Sequence, residues 1–282
     1  MEASVDADVH APVHAPVHAR GQTRAGHSSA RAPQNTQGKQ AKQSAHIPSV
    51  EIEDGHMVMR VGGVIQSVKV DERYIPDVWD AMLPRRRPAS ALILGLGGGT
   101  IATLLTQRWG AFPTVGVERD PAVVALARHA FGLDALPHLR IVTDDAFNFV
   151  RRATHSLHLA QHAHHGHQRI TPKCDAQDKN TPQNLVREDD SDVYSLCEAY
   201  DAICVDLYTA GKMAHGVLSG AFLRELAMLL APGGEIILNL WRSAYLEDHL
   251  RRIRKALIIS ELMMVDDNVV VHCVAQGSEI AQ

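Results

Sequence analysis

Four glycines stand among the five residues Gly95, Leu96, Gly97, Gly98 and Gly99, between an apolar run over 91–94 and a helix-patterned run over 100–108. Glycine lacks a Cβ, so a turn of this kind lets backbone approach a ligand closely and aims amide N–H groups at it from the head of the helix. A strand, a glycine turn and a helix in immediate succession favour an open α/β sheet that binds ligands at the carboxyl ends of its strands. Taken alone, the same turn also serves as a tight strand-to-helix connection with no ligand, so the following strands must decide.

Those strands come in regular alternation with helices. Runs over 91–94, 114–117, 140–143, 202–205 and 235–240 read as buried strands. Helical periodicity covers 100–108, 122–130, 220–230 and 245–257, and a last strand over 269–274 is free to fold back antiparallel. Strands spaced by amphipathic helices join in right-handed βαβ units, which predicts an α/β fold with a doubly wound, mostly parallel, Rossmann-like sheet. Ahead of it, 49–53, 57–61 and 63–70 read as a small N-terminal antiparallel β-sheet with turns at Asp54-Gly55 and Gly62-Gly63. A linking helix over 77–83 is broken by the segment from Pro84 to Pro88.

Two stretches fall outside this alternation. Residues 1–48 are rich in Ala, Pro, His, Gln and Ser, and repeat His10-Ala11-Pro12-Val13 as His14-Ala15-Pro16-Val17. They cannot bury enough apolar surface to offset ordering entropy and read as a disordered tail. The second stretch, 154–197, opens with His155, His158, His162, His164, His165 and His167. Imidazoles suit Zn²⁺ or Ni²⁺, but this segment shows no fixed ligand geometry, so a disordered surface loop without metal is expected. The chain therefore divides into a tail (1–48), a hairpin region with its linking helix (49–83) and a Rossmann-like domain (84–282) carrying the His-rich insert.

The 28 Lys and Arg against 32 Asp and Glu give no overall field that would draw in nucleic acid or an anionic membrane. No apolar run approaches the ~20 residues that span a bilayer, and residues 1–10 lack the basic-then-apolar order of a secretory signal. Cys174, Cys197, Cys204 and Cys273 have no metal-ligand spacing. A reducing, cytoplasmic setting is the expectation.

The strand ends carry the chemistry. Glu118 closes the second strand, where an acid can take both ribose hydroxyls of an adenosine ligand or simply stand exposed at the strand end. A dinucleotide site also wants glycine at position 100, and Thr100 stands there, so the nicotinamide reading falls. Asp144 and Asp145 close the third strand, where a carboxylate can accept from an adenine amino group or simply cap the next helix. Asp206 leaves the fourth strand, placed to orient or deprotonate a nucleophile or to make a structural hydrogen bond, with Tyr208 beside it as a lining residue for an acceptor pocket.

In detail the run Gly62-Gly63-Val64-Ile65-Gln66-Ser67, followed by Asp71-Glu72-Arg73-Tyr74, resembles the front hairpin of spermidine and spermine synthases. The similarity continues through 92–99, 117–120, 144–149, 200–206 and 230–234, and Ile93 stands where common methyltransferases place an acid that polyamine synthases also lack. The resemblance implies a Rossmann-like methyltransferase sheet of the class I S-adenosylmethionine-dependent transferases. It implies S-adenosylmethionine or its decarboxylated form as co-substrate, held by Gln66, Glu118, Asp145 and the loop of Gly95, Gly97 and Gly99. It makes Asp206 the proton acceptor and places Tyr74 near a small-molecule amine acceptor, in a chain that dimerises through the front hairpin. Two residues depart from the family pattern: Gly98 replaces the aspartate that holds the aminopropyl amine, and Thr209 replaces a second aspartate that binds the diamine. Both departures weaken the anchor for a dicationic amine, and the first favours the intact, carboxylate-bearing methyl donor. They also leave open a non-catalytic nucleoside-binding or scaffolding protein.

Overall fold

A computed structural model describes residues 47–70, 77–165, 199–209 and 211–277, with backbone alone over 160–165. The tail over 1–46 and Tyr74 lie outside the described residues. The front of the chain forms a three-stranded antiparallel sheet, β1 (Ser49–Glu53), β2 (His56–Val61) and β3 (Val64–Val68). Its turns fall at Asp54-Gly55 and Gly62-Gly63, all four at positive φ. A five-residue helix α1 (Asp77–Ala81) follows.

The central sheet begins with β4 (Ala91–Leu94) and alternates with helices through α2 (Thr100–Trp109), β5 (Thr114–Glu118), α3 (Pro121–Phe131), β6 (Leu139–Thr143), α4 (Ala146–His165) and β7 (Tyr200–Val205). A small hairpin, β8 (Tyr208–Thr209) and β9 (Lys212–Met213), precedes α5 (Gly220–Met228), β10 (Leu230–Trp241), α6 (Leu246–Arg254), β11 (Leu257–Val265) and β12 (Asn268–Ala275). The seven strands run in the order β6-β5-β4-β7-β10-β12-β11. The first five are parallel, β12 is antiparallel to β10, and β11 is antiparallel to β12.

Alternate strand residues point to opposite faces, which divides the core in two. Leu92, Leu94, Ile203 and Val205 pack under α4, α5 and α6, while Ala91, Ile93, Ala202 and Cys204 pack under α1, α2 and α3. All four residues of β4 are buried, so its loop rests on a fixed base at the centre of the molecule.

The structure corrects the sequence reading in three places. The helix expected over 245–257 stops at Arg254, and Leu257 opens a nine-residue strand that the sequence pattern did not separate from it. The strand turns back into β12 through Asp266, whose φ of 49° a short polar side chain tolerates. The strand expected over 235–240 starts at Leu230, with an irregularity in its pairing between Leu230 and Glu235. Finally, the first residues of the His-rich insert are helix rather than loop, because α4 runs on to His165. Thr154 is buried there and donates to Val150 O at 2.9 Å, and Leu157 packs on the core. The rest of the insert lies outside the described residues.

Candidate functional site

Strand order reverses between β4 and β7, and the open crevice at such a switch point is where α/β sheets bind ligands. A cavity of about 270 Å³ opens there, at the carboxyl ends of β4, β5, β6 and β7. Gln66, Gly95, Gly97, Glu118, Asp145, Asp206 and Tyr208 all line it, brought together from five separate segments of chain.

The glycine turn divides by position. Gly95 has φ of 88°, and a Cβ there would lie 2.1 Å from the Asp206 carbonyl oxygen, so only glycine fits where β4 and β7 diverge. Gly97 (φ 54°) presents its amide to the cavity wall, where Glu118 Oε2 accepts it at 3.0 Å. Gly99, expected among the ligand-binding residues, lies off the cavity. Its missing Cβ makes room for the Leu133 side chain, which would come within 2.3 Å. Gly98 is also turned away: its amide donates to Ser67 Oγ at 2.6 Å, and a Cβ would meet Ser67 Cβ at 2.8 Å and Phe131 Cδ1 at 3.0 Å. Thr100 completes this seam by accepting from Val68 N at 3.1 Å and donating to Val68 O at 2.8 Å. The front sheet is thereby fastened to the turn and to the head of α2, which carries Gln66 to the cavity.

Of the three acids expected to bind ligand or move a proton, Glu118 and Asp145 are held by backbone donors. Glu118 takes the Gly97 amide on one oxygen and the Asp120 amide on the other, at 3.0 and 3.1 Å. A carboxylate offers about four acceptor positions, so this grip leaves capacity for ligand hydroxyls. Asp145 Oδ1 accepts from Phe147 N at 3.0 Å and Asn148 N at 3.2 Å, which makes Asp145 a cap on α4 as well as a cavity residue. Its neighbour Asp144 is committed to Arg152 and to the Asp145 amide.

Asp206 sits at the innermost edge, its backbone amide bonded to Leu94 O at 2.9 Å. Asn239 Nδ2 donates to Oδ1 at 2.9 Å and Trp79 Nε1 donates to Oδ2 at 3.1 Å. Burial pushes the Asp206 carboxyl above the ordinary aspartate range, while these two donors pull it back. Tyr208 donates to Asn239 O at 3.2 Å, and burial, then the Asp206 charge, push its phenol up. Tyr208 is therefore a neutral hydroxyl in the wall. Burial raises the Cys204 thiol as well, which leaves it an inert core residue beneath the site.

Sequence reasoning missed Trp79, Asn239, Ser67 and Arg119. Asn239 did carry a signal: it is a lone polar residue inside the apolar run 236–240, and its buried Oδ1 meets no partner among the described residues. Trp79 carried none, because α1 is brought to Asp206 only by tertiary packing. That packing includes His272, whose Nε2 lies 2.9 Å from Ala81 O and whose Nδ1 lies 2.9 Å from Glu235 Oε2, while Glu235 Oε1 accepts from Arg85 N at 2.7 Å.

No family profile matches the chain. A curated relative, the polyamine aminopropyltransferase of Vibrio vulnificus (strain CMCP6), is 22% identical over 176 residues, 62% of this chain and 46% of that protein. The chain thus spans about half the length of that relative. Among solved structures, a probable spermidine synthase from Corynebacterium glutamicum matches with a TM-score of 0.55 at 16% identity, over 80% of this chain and 76% of that one. The fold is spermidine synthase-like. Its mostly parallel seven-stranded sheet is preceded by a small antiparallel sheet, as in the sequence expectation.

Proposed function

We propose that the chain is an alkyltransferase that binds S-adenosylmethionine or its decarboxylated form in this cavity and transfers a sulfonium substituent to a nucleophile. The observation that carries the proposal is the joint placement of Glu118, Asp145 and Asp206 around one crevice at the switch point, with Gly97 turned into it. In this reading Glu118 takes the ribose hydroxyls, Asp145 the adenine amino group, and Gln66 closes the nucleoside from the front sheet. The nucleophile's lone pair attacks the carbon bound to sulfur, the C–S pair returns to sulfur, and the released proton passes to the Asp206 carboxylate. A carboxyl raised by burial accepts that proton better than an ordinary aspartate would. Most of the acceleration then comes from holding carbon and nucleophile in line.

The seam at Gly98 supports the intact methyl donor over the decarboxylated one. Ser67 and Phe131 occupy the space into which any side chain at that position would project, so no carboxylate can reach an aminopropyl amine from there. The test is turnover with each donor across a panel of amine, carboxylate and phosphate acceptors, for the wild type and Asp206→Asn. Methyl transfer with the intact donor, reduced at least about a hundredfold in the variant, is expected. Spermidine formation from the decarboxylated donor and putrescine would overturn the donor assignment, and full activity in the variant would remove Asp206 from the chemistry.

A further inference from the structure

Arg119, at the mouth of the cavity, and the nearby Lys212 take no part in the steps above. Arg119 directly follows Glu118 at the end of β5, is exposed and lines the cavity, and its Nη2 donates to Thr209 Oγ1 at 3.0 Å. Because β5 and β7 flank β4, this contact reaches from one side of the glycine turn to the segment beyond β7. Thr209 is in turn the direct partner of Lys212 across the β8–β9 hairpin. Opposite residues of an antiparallel pair project to the same face, so a guanidinium, a hydroxyl and an ammonium share one side of this hairpin.

Each acid of the same cavity has a donor of its own, and none of them pairs with Arg119 or Lys212. Glu118 and Asp145 hold backbone amides, Asp120 Oδ1 accepts from Ala122 N at 2.8 Å, Asp144 pairs with Arg152, and Asp206 holds Asn239 and Trp79. Arg119 and Lys212 pair with no carboxylate among the described residues, and the partner Arg119 does have is a neutral hydroxyl. A guanidinium fork beside a hydroxyl and an ammonium is a donor set suited to a carboxylate or phosphate, and it repels a polyamine.

We propose that the acceptor carries an oxyanion, a carboxylate or phosphate, bound by Arg119, Thr209 and Lys212 while its nucleophile faces Asp206. The inference names the substrate class for the transferase reading and rests on it. Its test uses the full chain, first titrated with methylthioadenosine and then, with and without that nucleoside, with succinate, inorganic phosphate and putrescine. Succinate or phosphate should bind, lose about tenfold in affinity in Arg119→Gln, lose more in the double variant with Lys212→Gln, and weaken as salt rises. Putrescine should not bind. Binding of putrescine with none of either anion, or anion affinity unchanged in Arg119→Gln at an unchanged melting temperature, overturns the proposal. Comparing both donors separates the two sources of an oxyanion: if Arg119→Gln abolishes a preference for the intact donor, the cluster reads the donor's own carboxylate and the acceptor assignment falls. Failure of methylthioadenosine to bind counts against the nucleoside site, and the anion titrations on the free chain still read the cation cluster.

Discussion

Asp206 is the residue on which the site turns, and its proton affinity is raised by burial and lowered by its two side-chain partners. Hydrogen bonds to a carboxylate favour the charged form, so the Trp79 indole N–H works against the burial that pushes the group up. Removing it in Trp79→Phe should raise the carboxyl further. Since the base must be deprotonated, activity climbs with pH through that value, and the acid limb of the pH–rate profile should move to higher pH with little change in KM. A limb that stays in place would show that the indole only packs. Backbone conformation makes the other residue-scale demand. Gly95→Ala drives a methyl into the Asp206 carbonyl, whereas Gly55→Ala, at an equally positive φ of 85°, meets nothing within 4 Å. The second change should cost about 1–2 kcal/mol, the price of a left-handed residue, and the first considerably more, as read by denaturant unfolding of the two variants.

At the scale of elements, α1 and α4 show what local pattern conveys and what it does not. A five-residue helix has no stability of its own, so the position of Trp79 derives from neighbours. Met82 and Leu83 are buried just after it, and the Ala81 carbonyl is met by His272 from β12. None of that is visible in a window of sequence around Trp79. The run 257–265 was hidden for a related reason: its apolar residues continue those of α6 without a glycine or proline between them, and only the pairing with β12 separates the two. For α4 the misleading signal was composition. Histidine enrichment reads as low complexity, yet Ala153, Thr154 and Leu157 continue the buried stripe of the helix. A chain shortened from Thr154 to Asp192 should therefore melt several degrees below one shortened from residue 166, since about 1 kcal/mol moves the midpoint of a domain this size by roughly 2–4 °C. Equal melting temperatures would return 154–165 to the loop reading.

For the whole molecule, the legible part of the sequence was the part dictated by strand-to-helix alternation: β4 through β7, β10 and β12, and the acids that close them. The acids after β5, β6 and β7 follow from the parallel part of the sheet, because strands that run the same way end at the same rim. Glu118, the pair Asp144 and Asp145, and Asp206 could accordingly be placed at strand ends from spacing, the choice of Asp145 within its pair coming from the family resemblance, and all four line one cavity. Gly99 could not, since the choice between ligand contact and packing on Leu133 depends on a segment more than a turn away in sequence. Trp79 and the Arg119–Thr209–Lys212 cluster arise only when distant segments meet. Among the described residues, no helix is long and apolar enough to cross a membrane.

The central claim is that this crevice holds an adenosine-bearing sulfur ligand through Glu118. Isothermal titration of the full chain with methylthioadenosine, beside the same titration of Glu118→Gln, tests it most directly. Saturable one-to-one binding that weakens about tenfold or more in the variant is the predicted result. Absence of binding in the wild type, or equal affinity in both proteins, would contradict it.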